Sequence, residues 1–132
     1  MFHVGACGTA AKMKLVTNLV LGLNRAALAE GLVFAQLIGI SADASLDVLK
    51  GSVAYSRTMD TKGRKMIDQE FRAQAKLSQH LKDVRLMLDA AFNAGRSLPL
   101  IQTHARLLGA AEAAGFGELD NSAIIKTYDR HD

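Results

Sequence analysis

An all-α domain is the fold class that this sequence predicts, and three observations lead to it. The stretch of residues 8–36, GTAAKMKLVTNLVLGLNRAALAEGLVFAQ, lacks proline and is dominated by leucine, valine and alanine, which favours one long helix. Later segments repeat apolar residues at helical spacing. No alternating run of β-branched residues is present that would predict a strand. We therefore expect a bundle of about five to seven helices around one long central helix.

The long central helix would measure about 40 Å, at a rise of about 1.5 Å per residue. It begins at Gly8 and stops at Gly39, a residue type that favours a helix C-terminus. Its apolar residues run most of the way round, and such a helix is expected to be buried on several sides. The polar interruptions are Lys12, Lys14, Thr17, Asn18, Asn24, Arg25, Glu30 and Gln36.

A short helix is predicted to follow the long one. Ser41 is suited to the N-cap position, and Asp43 would lie in the first turn, where a negative charge is favourable. Leu46 and Leu49 are three residues apart and would share its buried face. Gly51 is expected to end it.

The next twenty residues show a broken pattern. We predict one helix over Tyr55–Lys62 and a further turn over Arg64–Asp68, with Gly63 as the break between them. The polar pair Ser56 and Arg57 could face a ligand. A loop and a solvated charge are the commoner outcome for such a pair.

Three more helices complete the prediction. One covers residues 77–94 and stops at Gly95, and its apolar stripe is Leu77, Leu81, Val84, Leu88 and Phe92. The next opens at Ser97 and Pro99 and closes at Gly115, with a stripe of Ile101, Ala105, Leu108 and Ala111. The last is the segment SAIIKTYDR, capped by Asp120 or Asn121.

Composition narrows the function classes. The chain of 132 residues is one domain's worth, and its net charge of +3 comes from scattered basic residues, which predicts no nucleic-acid partner. The single cysteine, Cys7, cannot form an internal disulfide, and the four histidines show no metal-ligand spacing, so no metal is expected. No uninterrupted apolar run approaches the roughly 18 residues of a membrane span, and no secretory signal is recognisable. A cytoplasmic protein with no membrane partner is the default expectation.

Lys14 and Asn18 are the candidates for chemistry. They are four residues apart on one face of the long helix, shortly after a glycine. A lysine near a helix N-terminus, when also desolvated, can exchange a proton near neutral pH, and an amide can orient it or a substrate oxygen. For an isolated Lys-x-x-x-Asn pair, however, a solvated lysine and a surface amide are the usual outcome.

The segment that contains Gly8, Lys14 and Asn18 resembles the G-x-G-x-x-x-K-x-x-x-N signature of the β-hydroxyacid dehydrogenases, the family of 3-hydroxyisobutyrate dehydrogenase and glyoxylate/succinic semialdehyde reductase. The resemblance implies that Lys14 is the catalytic acid/base and that Asn18 binds substrate. Ala10 stands where the signature has its second glycine, so a methyl group intrudes where backbone and ligand approach each other.

The segment KDVRLML, which begins at Lys82, resembles the K-D-L-R-L-A-L helix of the same family. The resemblance implies that Lys82 contacts the nicotinamide cofactor and that Asp83 belongs to the substrate site. Ala75 stands where the family usually has an aromatic residue eight positions before that aspartate, with Phe71 kept four residues earlier. This difference is expected to alter the wall of the substrate site.

The resemblance extends from Gly5 to Tyr128. It implies that residues 1–132 form the all-helical C-terminal domain of an enzyme, similar to the C-terminal domain of 6-phosphogluconate dehydrogenase, with its N-terminal Rossmann domain absent from this chain. The implied reaction is hydride transfer between NAD or NADP, bound mostly by that other domain, and a small carboxylate substrate, either a β-hydroxyacid or a semialdehyde. The 132 residues alone are then expected to be inactive.

Two alternatives remain open at this point. A non-catalytic helical dimerisation or scaffold module would also explain a long apolar helix, because a second subunit could cover it. This overlaps with the family expectation, which is a homo-oligomer, either a dimer or a tetramer. A catalytically idle relative that keeps the fold is the other alternative, and the presence of both Lys14 and Asn18 argues against it.

Overall fold

The computed structural model describes residues 7–128, with the backbone only at Cys7, and shows a helical bundle. The α-helices are α1 (Cys7–Leu37), α2 (Ala42–Lys50), α3 (Thr58–Asp68), α4 (Leu77–Asn93) and α5 (Pro99–Ala111). A π-helical turn, Glu112–Phe116, follows α5, and a 3-10 helix, Asn121–Tyr128, ends the described part. No strand occurs within residues 7–128. The predicted all-α class and the predicted number of helices are both confirmed.

The core lies around the second half of α1. Helices α2 to α5 and the 3-10 helix all contact α1. The 3-10 helix also packs on α3, α4 and α5, so it closes the bundle between them. The buried apolar core comprises Leu28, Ala29, Leu32, Leu46, Met59, Met66, Phe71, Leu77, Leu81, Val84, Met87, Ile101, Leu108, Ala111, Ala123 and Ile124.

The first half of α1 is more exposed than its composition predicts. Met13, Val16 and Val20 are 39%, 51% and 52% exposed. Because α2, α3 and the 3-10 helix contact residues nearer the other end, the first turns are covered mainly on the side that faces α4. The expectation of burial on several sides therefore holds only for the second half. By length and composition alone α1 could cross a membrane, but the core helix of a globular domain passes the same test.

The end of α1 and the start of α2 follow the predicted chemistry. Gly39 adopts a φ of +92°, which most side chains disfavour, and the amide of Ile40 donates to the carbonyl of Ala35 at 2.8 Å. The hydroxyl of Ser41 caps α2 by accepting from the amide of Ala44 at 3.1 Å. Gly51 is the C-cap of α2, as predicted.

The prediction for α3 was wrong in two respects, since the helix begins at Thr58 instead of Tyr55 and is not broken at Gly63. Gly63 lies in the middle of α3, and a Cβ atom there would come within 2.8 Å of both methyl groups of Leu46. The glycine is therefore a contact point that lets α2 and α3 pack closely. Local propensity could not reveal this, because the contact comes from another helix.

The last two elements differ from ideal α-helices. Helix α5 ends at Ala111 and continues through the π-helical turn, where Gly115 has a φ of +96°. The final segment is a 3-10 helix instead of an α-helix. Asp120 caps it, as one of the two predicted alternatives, by accepting from the amide of Ser122 at 3.0 Å.

Candidate functional site

The structure brings together two of the four predicted site residues. The side-chain amide of Asn18, on α1, donates to a carboxylate oxygen of Asp83, on α4, at 3.3 Å. The two residues are 65 positions apart in sequence and partly buried. This contact lies where α4 crosses the first half of α1, so the site depends on the packing of these two helices.

The two predicted lysines lie at the surface. Lys14 is one helical turn before Asn18 on α1, and Lys82 directly precedes Asp83 on α4; both are exposed. The desolvation expected for Lys14 is therefore not provided by the described part of this chain. Burial of the Lys14 amine requires a surface from elsewhere, because the first turns of α1 have few neighbours in the bundle.

A cavity of about 270 Å³ opens beside the Asn18–Asp83 contact. Such a volume is somewhat below the range of typical drug-sized ligand sites, and it suits a small metabolite. The cavity is lined by Asn18, Leu21, Arg25, Ala75, Lys76, Gln79, His80, Asp83 and Asn121. Ala75 is thus part of its wall, at the position where the family pattern has an aromatic residue.

Arg25 is the most unusual member of this lining. It lies two helical turns after Asn18 on the same face of α1 and is only 8% exposed. Burial lowers the pKa of its guanidinium to about 10, although the negative charge of Asp120 acts in the opposite direction. No ion pair within 4.0 Å joins Arg25 to another described residue.

A pair of histidines lies next to Arg25. The Nε2 atoms of His80 on α4 and His104 on α5 are 3.0 Å apart, and both residues are buried. Burial, together with the charge of Arg25, lowers the pKa of His80 to about 3 and that of His104 to about 4. Both imidazoles are therefore neutral at physiological pH, and one donates the shared hydrogen bond to the other.

Gly22 on α1 makes room for this pair. A Cβ atom at Gly22 would lie 2.4 Å from Nε2 of His80 and 3.3 Å from Nε2 of His104. The rings consequently pack directly against the backbone of α1, one turn from Asn18. This contact sets the distance between α1 and α4 at the level of the cavity.

Asp120 is the centre of a buried network below the cavity. Its carboxylate is fully buried and accepts from the ammonium of Lys62 at 2.9 Å and 3.0 Å. The amides of Gln74 and Ala75 donate to it at 2.9 Å and 3.2 Å, as do the amide and hydroxyl of Ser122. Burial by itself raises the pKa of Asp120, but these hydrogen bonds and the Lys62 charge outweigh it and hold the pKa well below its usual range.

Sequence reasoning missed Arg25, the two histidines and the Lys62–Asp120 pair. Arg25 offered a usable signal, because a charge inside a helix predicted to be buried needs a partner. The histidines are 24 positions apart, and Lys62 and Asp120 are 58 apart. No local spacing links such distant residues. Within residues 7–128 no group of three or more histidine, aspartate or glutamate side chains is arranged to hold a metal ion.

Comparison with known proteins gives a consistent match. Residues 8–128 match a family model described as NAD-binding of NADP-dependent 3-hydroxyisobutyrate dehydrogenase. The chain is 33% identical to glyoxylate/succinic semialdehyde reductase 1 of Arabidopsis thaliana, over 95% of this chain and 43% of the relative. It is 32% identical to the cytokine-like nuclear factor N-PAC of Aedes aegypti, over 93% of this chain and 22% of the relative.

A solved structure of 3-hydroxyisobutyrate dehydrogenase from Salmonella typhimurium has the same fold. It superposes with a TM-score of 0.88 at 28% identity, over 92% of this chain and 42% of that chain. The chain thus spans less than half the length of the relatives it matches. The range matched by the family model, residues 8–128, includes nearly all of α1 and the whole of α4.

Proposed function

The chain belongs to the family described as NAD-binding of NADP-dependent 3-hydroxyisobutyrate dehydrogenase, and on this premise we propose that it is the C-terminal catalytic domain of an NAD(P)-dependent oxidoreductase. Its substrate is a small β-hydroxyacid or semialdehyde. The observation that carries the proposal is the contact of Asn18 with Asp83 beside a small cavity, one helical turn from Lys14. A Rossmann domain outside these 132 residues binds most of the cofactor.

Lys14 is the proposed general acid/base. A bound nicotinamide cofactor would supply a hydride for the carbonyl carbon of the substrate. The role of Lys14 is to give the proton of its ammonium to the carbonyl oxygen. In the reverse direction the neutral amine removes the hydroxyl proton. The surface that desolvates Lys14 is provided by the cofactor-binding domain, since the amine is exposed here.

Asn18, Asp83 and Lys82 have supporting roles in this proposal. The amide of Asn18 is held by Asp83, which fixes its orientation toward the substrate. Lys82 is exposed beside Asp83 in sequence, and its positive charge suits the approach of a negatively charged cofactor. The proposal includes a cytoplasmic location, and neither nucleic acid nor a membrane has a part in the reaction.

The test is turnover by the two-domain protein, in which the chain is expressed with the region encoded before it. NADPH and NADH oxidation would be followed with glyoxylate and with succinic semialdehyde. A Lys14→Ala variant is expected to lose about 10²- to 10⁴-fold in kcat, the usual contribution of general acid–base catalysis. Lys12→Ala, at an exposed position near the start of the same helix, is the matched control, and its kcat should stay within about twofold of the parent value.

The domain assignment has its own test. The isolated 132 residues are expected to show no measurable dehydrogenase activity with either cofactor. Turnover by the isolated chain would overturn the assignment of cofactor binding to another domain. Equal activity of the two-domain parent and its Lys14→Ala variant would overturn the role of the lysine.

A non-catalytic helical dimerisation or scaffold module is the second candidate. Two observations favour keeping it: a relative is named a nuclear factor, and Phe34 and Leu100 are 59% and 70% exposed around an apolar groove between α1 and α5. We propose that this groove is covered in a homo-oligomer, either a dimer or a tetramer. Sedimentation of the two-domain protein tests the oligomer, and absence of turnover with either cofactor would favour the scaffold.

A further inference from the structure

Arg25 is a buried charge that the proposed mechanism does not use. Only 8% of its surface is exposed, and the part that remains accessible lies in the cavity beside Asn18 and Asp83. A guanidinium carries five N–H donors and no acceptor, so it needs oxygen atoms around it. A buried charge without such partners is strongly unfavourable.

Among the described residues 8–128, no carboxylate forms an ion pair with Arg25 within 4.0 Å. Asp120 is the negative group whose charge acts on Arg25, but its two oxygens already accept from Lys62, Ser122 and two backbone amides. Asp83 shares the cavity with Arg25, yet no ion pair joins them, and Asp83 accepts from Asn18 instead. With respect to residues 8–128, the guanidinium therefore has donors without a carboxylate partner, and it lines the cavity.

Lys76, the other basic residue that lines the cavity, differs from Arg25 because it has a carboxylate partner. Lys76 is exposed and pairs with Glu118 at 2.8 Å, so its charge is already neutralised. Asn121, by contrast, has a buried side-chain oxygen without a hydrogen-bond partner. In the part of the chain that the structure describes, the cavity consequently presents donors at Arg25 and an acceptor at Asn121 that have no side-chain partner.

The position of Arg25 along α1 sets its distance from the proposed general acid/base, Lys14. Lys14, Asn18 and Arg25 follow at intervals of four and seven residues, which places them on one face of the helix. Lys14 and Arg25 are 11 residues apart, which is about 16 Å along the helix axis at a rise of about 1.5 Å per residue. A group bound at Arg25 is therefore separated from a group at Lys14 by several bond lengths, even when both side chains reach toward each other.

We propose that Arg25 binds a substrate carboxylate that lies several carbons from the reacting carbonyl. This inference rests on the proposed function and deepens it, since it selects a substrate class. Semialdehyde acids with a remote carboxylate, such as succinic semialdehyde, satisfy the spacing. Glyoxylate does not, because its carboxylate is attached to the reacting carbon. Arginine suits this role because its planar donors match a carboxylate in a bidentate pair.

The first experiment measures binding without turnover. The Nε resonance of Arg25 in the two-domain protein would be followed by NMR while succinate is added, with neutral succinamide as the reference ligand. Succinate is expected to shift the resonance and succinamide is not. An Arg25→Met variant should bind succinate at least about tenfold more weakly, since hydrogen bonds to charged groups are involved. Arg96→Met, an exposed arginine beyond α4, is the charge-matched control and should bind like the parent.

The second experiment measures specificity. The ratio of kcat/KM for succinic semialdehyde to that for glyoxylate should fall at least about tenfold in Arg25→Met, mainly through KM, while Arg25→Lys retains part of it. Arg96→Met should leave the ratio unchanged. If Arg25 were merely structural, Arg25→Met would lower kcat/KM equally for both substrates. That result would overturn the subsite, and so would a failure of succinate to bind the parent protein.

The two experiments separate this subsite from the reaction. If succinate binds at Arg25 but no dehydrogenase turnover is found, the proposed function fails and the carboxylate site stands. If turnover is found with an unchanged ratio in Arg25→Met, the function stands and the subsite fails. Should Arg25→Met not fold, the ratio is measured in Arg25→Lys, where a partial fall is expected and an unchanged ratio would overturn the subsite.

Discussion

Replacing Asp120 by asparagine should destabilise the domain strongly, because the substitution removes a charge and keeps the shape. The carboxylate of Asp120 is fully buried and faces only donors, namely the ammonium of Lys62, the amides of Gln74, Ala75 and Ser122, and the hydroxyl of Ser122. In asparagine one of the two oxygens becomes an NH₂ group, which meets donors instead of accepting from them.

The size of the effect follows from the burial of Lys62. Its side chain is 9% exposed, so after the substitution an ammonium group stays buried beside a neutral amide. Removing one partner of a buried pair costs about 3–5 kcal/mol, because the other charge is left uncompensated. Total domain stabilities are about 5–15 kcal/mol, so the loss would be a large share of the whole.

Urea unfolding followed by far-UV circular dichroism measures this loss. With an m-value of about 2 kcal/mol/M, the midpoint should fall by roughly 2 M. Asp89→Asn on the exposed face of α4 is the control and should change the stability by less than about 0.5 kcal/mol. A Lys62→Met/Asp120→Asn double variant should be less destabilised than the sum of the two single variants, because the pair acts as a unit.

The dependence of the unfolding free energy on pH tests the same network. The pKa of Asp120 is depressed in the folded state, so its contribution is present above the unfolded value of about 4 and is lost as pH falls below it. Asp120→Asn should remove this part of the acid sensitivity. The reasoning would be refuted by an Asp120→Asn protein whose free energy of unfolding at neutral pH lies within about 1 kcal/mol of the parent at an unchanged m-value.

Two further predictions concern the histidine pair. Gly22→Ala should destabilise the fold by about 1–3 kcal/mol, because the new methyl group would overlap the ring of His80; Gly31→Ala, with open space around it, should be neutral or slightly stabilising in the same urea assay. Stability should also fall as pH is lowered from about 6.5 toward 4, since the unfolded chain takes up protons at its histidines near pH 6.5, whereas the pKa values of His80 and His104 in the folded state are about 3 and about 4. In urea titrations at successive pH values, the free energy of unfolding of a His80→Gln variant should decline less steeply over this range than that of the parent. An equal decline would contradict the lowered pKa of His80 in the folded state.

The parts of the fold that sequence predicted well are those with local causes. Ser41, Gly39 and Gly51 act within a few residues of their own position, through a cap, a left-handed turn and a helix end, and each was found where expected. Gly63 was misjudged, because its role is a contact with Leu46 of another helix. The exposure of the first half of α1 was missed for the same reason, because composition does not show which other helices pack against it.

In the candidate site, too, some residues could be predicted from the sequence and others could not. The pairing of Asn18 with Asp83 could be expected once a family resemblance had linked both residues to one substrate site, and the structure brings them into contact. Arg25 and His80 complete the cavity wall, yet periodicity treats a buried arginine as an interruption and a buried histidine as one more core residue. Their importance becomes visible only when helix packing has put them side by side.

The joining of the first helix to the last one has a consequence for biosynthesis. The hydroxyl of Tyr128 donates to the carboxylate of Glu30 at 2.6 Å, across 98 positions of sequence. A ribosome therefore releases α1 long before it makes the segment that covers it. The apolar second half of that helix stays open to chaperones until Asn121–Tyr128 has been made, and the bundle closes only after that segment has left the exit tunnel.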